Sequence, residues 1–170
     1  MENFLHFSYF SIPLLIAYFS VGWLYSFQTR VFSWLDFFWS TSFILLILSL
    51  FAFDFHFNRN SNLLYYLYLI WAIRLSFHLF KRIKAHGEDK RYLVLKQKWK
   101  VWYGIYFFLL FQLEGILTHL LVIPLFLDYQ TKPSTVIFYL TLIVFAVAII
   151  GESIADKQLK SFKKAIPQEV

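Results

Sequence analysis

The stretch Leu63-Leu-Tyr-Tyr-Leu-Tyr-Leu-Ile-Trp-Ala-Ile-Arg-Leu-Ser-Phe-His-Leu-Phe80 runs straight into Lys81-Arg-Ile-Lys-Ala-His-Gly-Glu-Asp-Lys-Arg-Tyr92. An apolar run of this length is close to the roughly 20 helical residues that cross a hydrocarbon core. It does not alternate apolar with polar, as a barrel strand would. The basic segment that follows is what a membrane helix carries at its cytoplasmic end. Read together, the two segments predict a transmembrane helix with a polar, cationic exit.

Four more runs of this kind flank it, giving five expected crossings near Phe7–Phe27, Phe32–Phe53, Leu63–Phe80, Val101–Leu127 and Thr135–Ile154. The composition agrees. Of 170 residues, 59% are hydrophobic, 23% are aromatic and only 15% are charged. A typical soluble domain carries about 25% charge. So few charges could not screen that much apolar surface from water, and disordered chains lack such aromatic content. The fold class expected is all-α, a polytopic membrane helix bundle forming one domain over residues 1–170. Pro13 and Pro124 are expected near helix ends, where a missing backbone donor costs least.

The loops set the orientation. Thirteen of the 16 Lys and Arg fall in the first loop, the third loop and the C-terminal tail, and eight of them lie in Lys81–Lys100. The alternate side holds two, Arg59 and Lys132. The positive-inside rule puts the N-terminus outside and the C-terminus in the cytoplasm. No basic residue precedes Arg30, so the first run lacks the charged start of a cleavable signal peptide. The net charge of +6 follows these membrane flanks and implies no nucleic acid.

Cysteine is absent, which excludes disulfides, thiolate metal sites and a Cys nucleophile. None of the five His is followed by a His or Glu three or four residues on, so no metal is expected. Gly-rich phosphate loops and a Gly-x-Ser-x-Gly elbow are also missing.

Ionisable groups at membrane depth mark function or a buried pair. Arg74, His78 and Arg82 share one face of the third helix. Arg82 is expected to snorkel to the headgroups. Arg74 lies about two turns deeper. On the fourth helix Glu114 is placed near the bilayer centre, either pairing with Arg74 or facing a polar cavity. His119 is expected to hydrogen-bond between helices. The segment after Gly87 interleaves Tyr92, Leu93, Leu95 and Trp99 with Lys96, Lys98 and Lys100, and reads as a short basic stretch at the interface, drawn to anionic lipid or to the phosphates of a nucleotide. In the last segment Glu152 and Asp156 are i, i+4, with Lys163 two turns beyond.

Trp71-Ala-Ile-Arg-Leu-Ser-Phe-His-Leu-Phe-Lys-Arg82, then Gly87-Glu-Asp-Lys-Arg-Tyr92, and later Gly151-Glu-Ser-Ile-Ala-Asp-Lys-Gln-Leu-Lys-Ser-Phe-Lys163 resemble bacterial members of the steroid 5-alpha-reductase-like membrane family. The two regions occur in the family's order and spacing. The resemblance implies a reductase that uses NADPH to reduce the carbon–carbon double bond of an enone in a lipid such as a steroid, with the cofactor reached from the cytoplasm. It implies cofactor contacts from Arg74, Arg91, Tyr92, Glu152, Asp156 and Lys163. Glu152 is acidic where steroid reductases carry Asn. Lys163 stands where Arg is found, and Lys makes no bidentate phosphate contact. Glu114 is the candidate for polarising the substrate. The family's Gly-Leu-Trp-x-x-Ser-Arg-His-Pro-Asn-Tyr signature does not occur here, so the resemblance implies an N-terminal portion that is inactive without a complementing C-terminal chain. Isoprenylcysteine-type membrane methyltransferases share the architecture and form an alternative. A non-catalytic scaffold that binds membrane lipid is another.

Overall fold

The computed structural model describes residues 2–52, 62–126 and 134–165. All regular structure among them is helical: α1 Glu2–Thr29, α2 Trp34–Ala52, α3 Asn62–His86, α4 Lys90–Trp99, α5 Tyr103–Val122 and α6 Thr135–Ala165. Each of the five apolar runs coincides with one of the longer helices, and α1, α3 and α6 extend beyond theirs. The basic stretch after Gly87 forms α4, a separate short helix. A 3-10 turn at Lys100–Trp102 leads from α4 to α5, and another at Ile123–Phe126 follows α5. The segments Leu5–Thr29, Leu63–His86, Lys90–Val122 and Thr135–Leu159 are long and apolar enough to cross a membrane, while Trp34–Leu50 of α2 is shorter. The connections bearing Arg59 and Lys132 lie outside the described residues.

One expectation is corrected. Pro13 lies inside α1, not near its end, because the helix begins at Glu2 rather than at Phe7. The proline ring removes a bond to the carbonyl of Tyr9.

The chain divides into two units, residues 1–129 and 130–170. In the first, α1 lies along α5, α2 lies along α3, and α2 also touches α1 and α5. Aromatic side chains fill the space between them. Phe32 stacks on Phe107 at 3.9 Å between ring centres, and Trp99 meets Phe107 edge-on at 4.9 Å. Phe19 and Phe111 are fully buried in the same cluster. Gly22 lets α2 come close to α1: a Cβ there would stand 2.8 Å from the Phe38 ring. Small residues at such crossings are how membrane helices gain packing contacts.

Hydroxyl and indole groups in this unit bond across the helices. Trp23 Nε1 donates to the Gly104 carbonyl at 2.9 Å. Tyr18 and Thr41 are linked at 2.5 Å, Ser42 and Thr118 at 3.0 Å, and Ser76 donates to Ser40 at 2.9 Å. With no water in a hydrocarbon core, such groups must find one another or a backbone carbonyl. The second unit is essentially α6, apolar up to Ile150 and charged from Glu152 onward.

Candidate functional site

The first amides of a helix have no partner within it. At the turn Phe32–Ser33 that leads into α2, the partner comes from far along the chain. Gly87, with φ at +67°, ends α3, and its amide bonds the Ile83 carbonyl at 2.8 Å. Glycine adopts that left-handed backbone without the steric penalty of a Cβ. The turn brings Glu88 to the start of α2. Its carboxylate accepts from the amides of Phe32 and Ser33, both at 2.8 Å, and from Ser33 Oγ at 2.9 Å. Ser33 Oγ in turn accepts from the Asp89 amide at 2.7 Å. Lys96 of α4 closes the arrangement, with Nζ 2.6 Å from Glu88 and 2.5 Å from the Arg30 carbonyl. A negative group at a helix N-terminus also suits the helix dipole.

One turn into α2 stands Asp36. Its carboxylate accepts from the Tyr92 hydroxyl at 2.6 Å, from Arg82 at 2.6 Å and from Arg91 at 3.3 Å. Asp89 caps α4 through the Arg91 amide at 3.0 Å and pairs with the Arg91 guanidinium at 3.2 Å. Arg82 lies 3.7 Å from Asp89. Burial works to raise the Asp89 carboxyl, but hydrogen bonds from the Arg91 side chain and backbone, with the charges of Arg91 and Arg82, hold it below the usual aspartate range. Three carboxylates thus face three cations in one network. This corrects the expectation for Arg82: it turns inward to Asp36 rather than snorkelling outward, because that carboxylate offers a short charge-assisted bond.

Asp36 also borders a cavity of about 220 Å³, together with Leu35, Trp39 and Glu114. Of the two places the sequence offered Glu114, this is the cavity. No ion pair joins it to Arg74 among the described residues. Trp39 Nε1 is buried there without a hydrogen-bond partner. A carboxyl group in such a position accepts a hydrogen bond when ionised and donates one when protonated. Asp36 is therefore shared: one neighbourhood is the cavity with Glu114, the other is the Arg91–Tyr92 element. Tyr92 is buried with its hydroxyl on Asp36, whereas the Arg91 side chain is 65% exposed.

The remaining candidates lie elsewhere. Arg74 and His78 are half-buried on α3. His119 bonds Ser11 at 3.1 Å and Ser8 at 3.4 Å, joining α5 to α1 as expected, and stacks on Phe7. On α6, Glu152 and Asp156 stand one turn apart. The side chain of Lys163 lies outside the described residues. Asp36 itself was not foreseen. A lone carboxylate within an apolar run was the available signal, the same one that marks Glu114.

Residues 22–169 match a family described as a protein of unknown function (DUF1295). The chain belongs to this family. No curated protein and no solved structure matches it. The DUF1295 region contains Asp36, Glu88, Arg91, Tyr92 and Glu114, so the network and the cavity both fall inside the part of the chain that defines the family.

Proposed function

We propose that this DUF1295 protein is a membrane-embedded reductase that uses NADPH to reduce the carbon–carbon double bond of a lipid-like enone. The reading rests on the sequence resemblance and on the place of DUF1295 in the steroid 5-alpha-reductase-like superfamily. The observation that carries it is the shared carboxylate. Asp36 touches both the cavity with Glu114 and the Arg91–Tyr92 element to which the resemblance gives the cofactor.

The residues fit this group in part. Arg91 keeps its outer side open to water, so a nucleotide phosphate can reach the guanidinium in place of Asp89. Tyr92 is buried and acts through Asp36, holding that carboxylate toward α4. NADPH, when bound, supplies the hydride. Glu114, in its protonated form, donates a hydrogen bond to the enone oxygen in the cavity, where Leu35 and Trp39 line the wall, and the proton that completes the reduction comes from that carboxyl or from water. The resemblance adds Arg74 of α3, Glu152, Asp156 and Lys163 of α6, and a complementing chain that carries the family's Ser-Arg-His-Pro-Asn-Tyr segment. The N-terminus lies outside and the C-terminus in the cytoplasm, as the loop charges favour.

NADPH titration of the purified protein in detergent is the test. Saturable binding is expected, weakened about tenfold by Arg91→Gln through loss of one charge-assisted contact. Glu114→Gln should leave that binding intact. Absence of binding at millimolar NADPH, both alone and with a co-expressed chain carrying the Ser-Arg-His-Pro-Asn-Tyr segment, overturns the reading. Binding of S-adenosylmethionine instead would assign the methyltransferase alternative.

A further inference from the structure

The cations around α4 fall into two groups. Arg82, Arg91 and Lys96 face carboxylates, and Asp36, Glu88 and Asp89 are all engaged by them. Lys81, Lys84, Lys90, Lys98 and Lys100 are exposed and make no ion pair among the described residues. The ammonium of Lys81 lies 4.1 Å from the Phe77 ring centre, on the exposed side of α3. The polar network thus engages Asp36, Glu88 and Asp89, and leaves these five lysines without a carboxylate among the described residues.

That surface is also apolar. Tyr92, Leu95, Lys96 and Trp99 recur at helical spacing and turn α4 toward the bundle. The opposite side carries Leu93 and Val94, 44% and 61% exposed. In the turn that follows, Val101 and Trp102 are 89% and 64% exposed. Lys100 enters that turn at φ +47° and ψ −120°, a conformation that a residue with a Cβ rarely holds. A strained turn that presents a valine and a tryptophan to the outside, just after Lys98 and Lys100, has the make-up of an interfacial anchor.

We propose that α4 and the turn after it form a foot that seats on anionic phospholipid headgroups. Lys90, Lys98 and Lys100 of the foot, with Lys81 and Lys84 at the end of α3, meet the phosphates, and Val101 with Trp102 enters the acyl boundary. Fixed cations beside apolar tips match a negatively charged leaflet and mismatch a zwitterionic one. The proposal stands whether or not the protein is a reductase.

The cysteine-free chain makes the test direct. Val101→Cys, labelled with an environment-sensitive fluorophore, is placed in nanodiscs of phosphatidylcholine alone or mixed with phosphatidylglycerol. Quenching by spin-labelled lipid is expected in both, with deeper insertion when phosphatidylglycerol is present. Changing the five lysines to Gln should shrink that response about fivefold or more. Rising salt should erode it in the labelled chain with all lysines intact, a reading that survives if the Gln variant fails to fold. Inorganic phosphate or ATP added to phosphatidylcholine discs should not reproduce it. The proposal is overturned if only aqueous quenchers reach the label, if salt or the Gln variant leaves the lipid response unchanged, or if free phosphate mimics it.

Discussion

The two ends of α1 are tied to the rest of the bundle by different chemistry. Near its start, Ser8 and Ser11 meet His119 through neutral hydrogen bonds, with Phe7 stacked alongside. Past its last turn, the chain enters a network in which Glu88, Asp36 and Asp89 answer Lys96, Arg82 and Arg91. The neutral end joins three side chains already on packed helices. The charged end does more: it supplies partners for the open amides at the turn into α2 and fixes the turn between α3 and α4. Ionic groups are concentrated where backbone needs completing, and hydroxyls serve where helices already fit.

The comparison predicts unequal losses. Glu88→Ala strips four contacts from a side chain that is only 11% exposed, and should lower stability by about 3 kcal/mol in detergent unfolding. Asp36→Asn keeps the shape but weakens two guanidinium contacts, and should cost about 2 kcal/mol by the same measurement. Tyr92→Phe removes one hydroxyl from Asp36 and should cost about 1 kcal/mol. Ser11→Ala, at the neutral end, should cost about 0.6 kcal/mol, the usual size of a polar contact between membrane helices. If Ser11→Ala proved as damaging as Glu88→Ala, the distinction between the ends would fail.

Acidity separates the ends in a second way. Asp89 titrates below its ordinary value of 3.8 when folded, so its contribution is complete above that value. It is lost as pH falls through the lowered folded value. Unfolding followed as a function of pH should therefore show a fall in stability below about pH 4 that is smaller in Asp89→Asn.

These contrasts also mark what could be read from the residues alone. The long helices were legible because apolar runs of membrane length have few other destinations. A separate basic stretch after Gly87 was legible from its mixed basic and aromatic pattern, whereas its helical form, α4, was not read. Asp36 was hidden by its surroundings: one carboxylate in Phe32–Phe53 barely alters the character of that run. Its partners Arg82 and Tyr92 lie 46 and 56 residues away, beyond the reach of any local periodicity. Glu88 looked like an interruption in a basic segment, because capping of another helix depends on the return path of the chain. The cavity beside Glu114 arises from the meeting of α2 and α5, which no single stretch contains.

The bond from Glu88 to α2 has a consequence for biogenesis. Phe32 and Glu88 are separated by 56 positions. At about 5–20 residues per second of synthesis, α2 is made several seconds before its acceptor exists. Through that interval the amides of Phe32 and Ser33 must rely on water or lipid headgroups. The second helix can be threaded early, but its final seating waits for the hairpin that follows it. Translation order is thereby written into the fold: the nascent chain closes this end only after α3 has passed and the turn at Gly87 has been made.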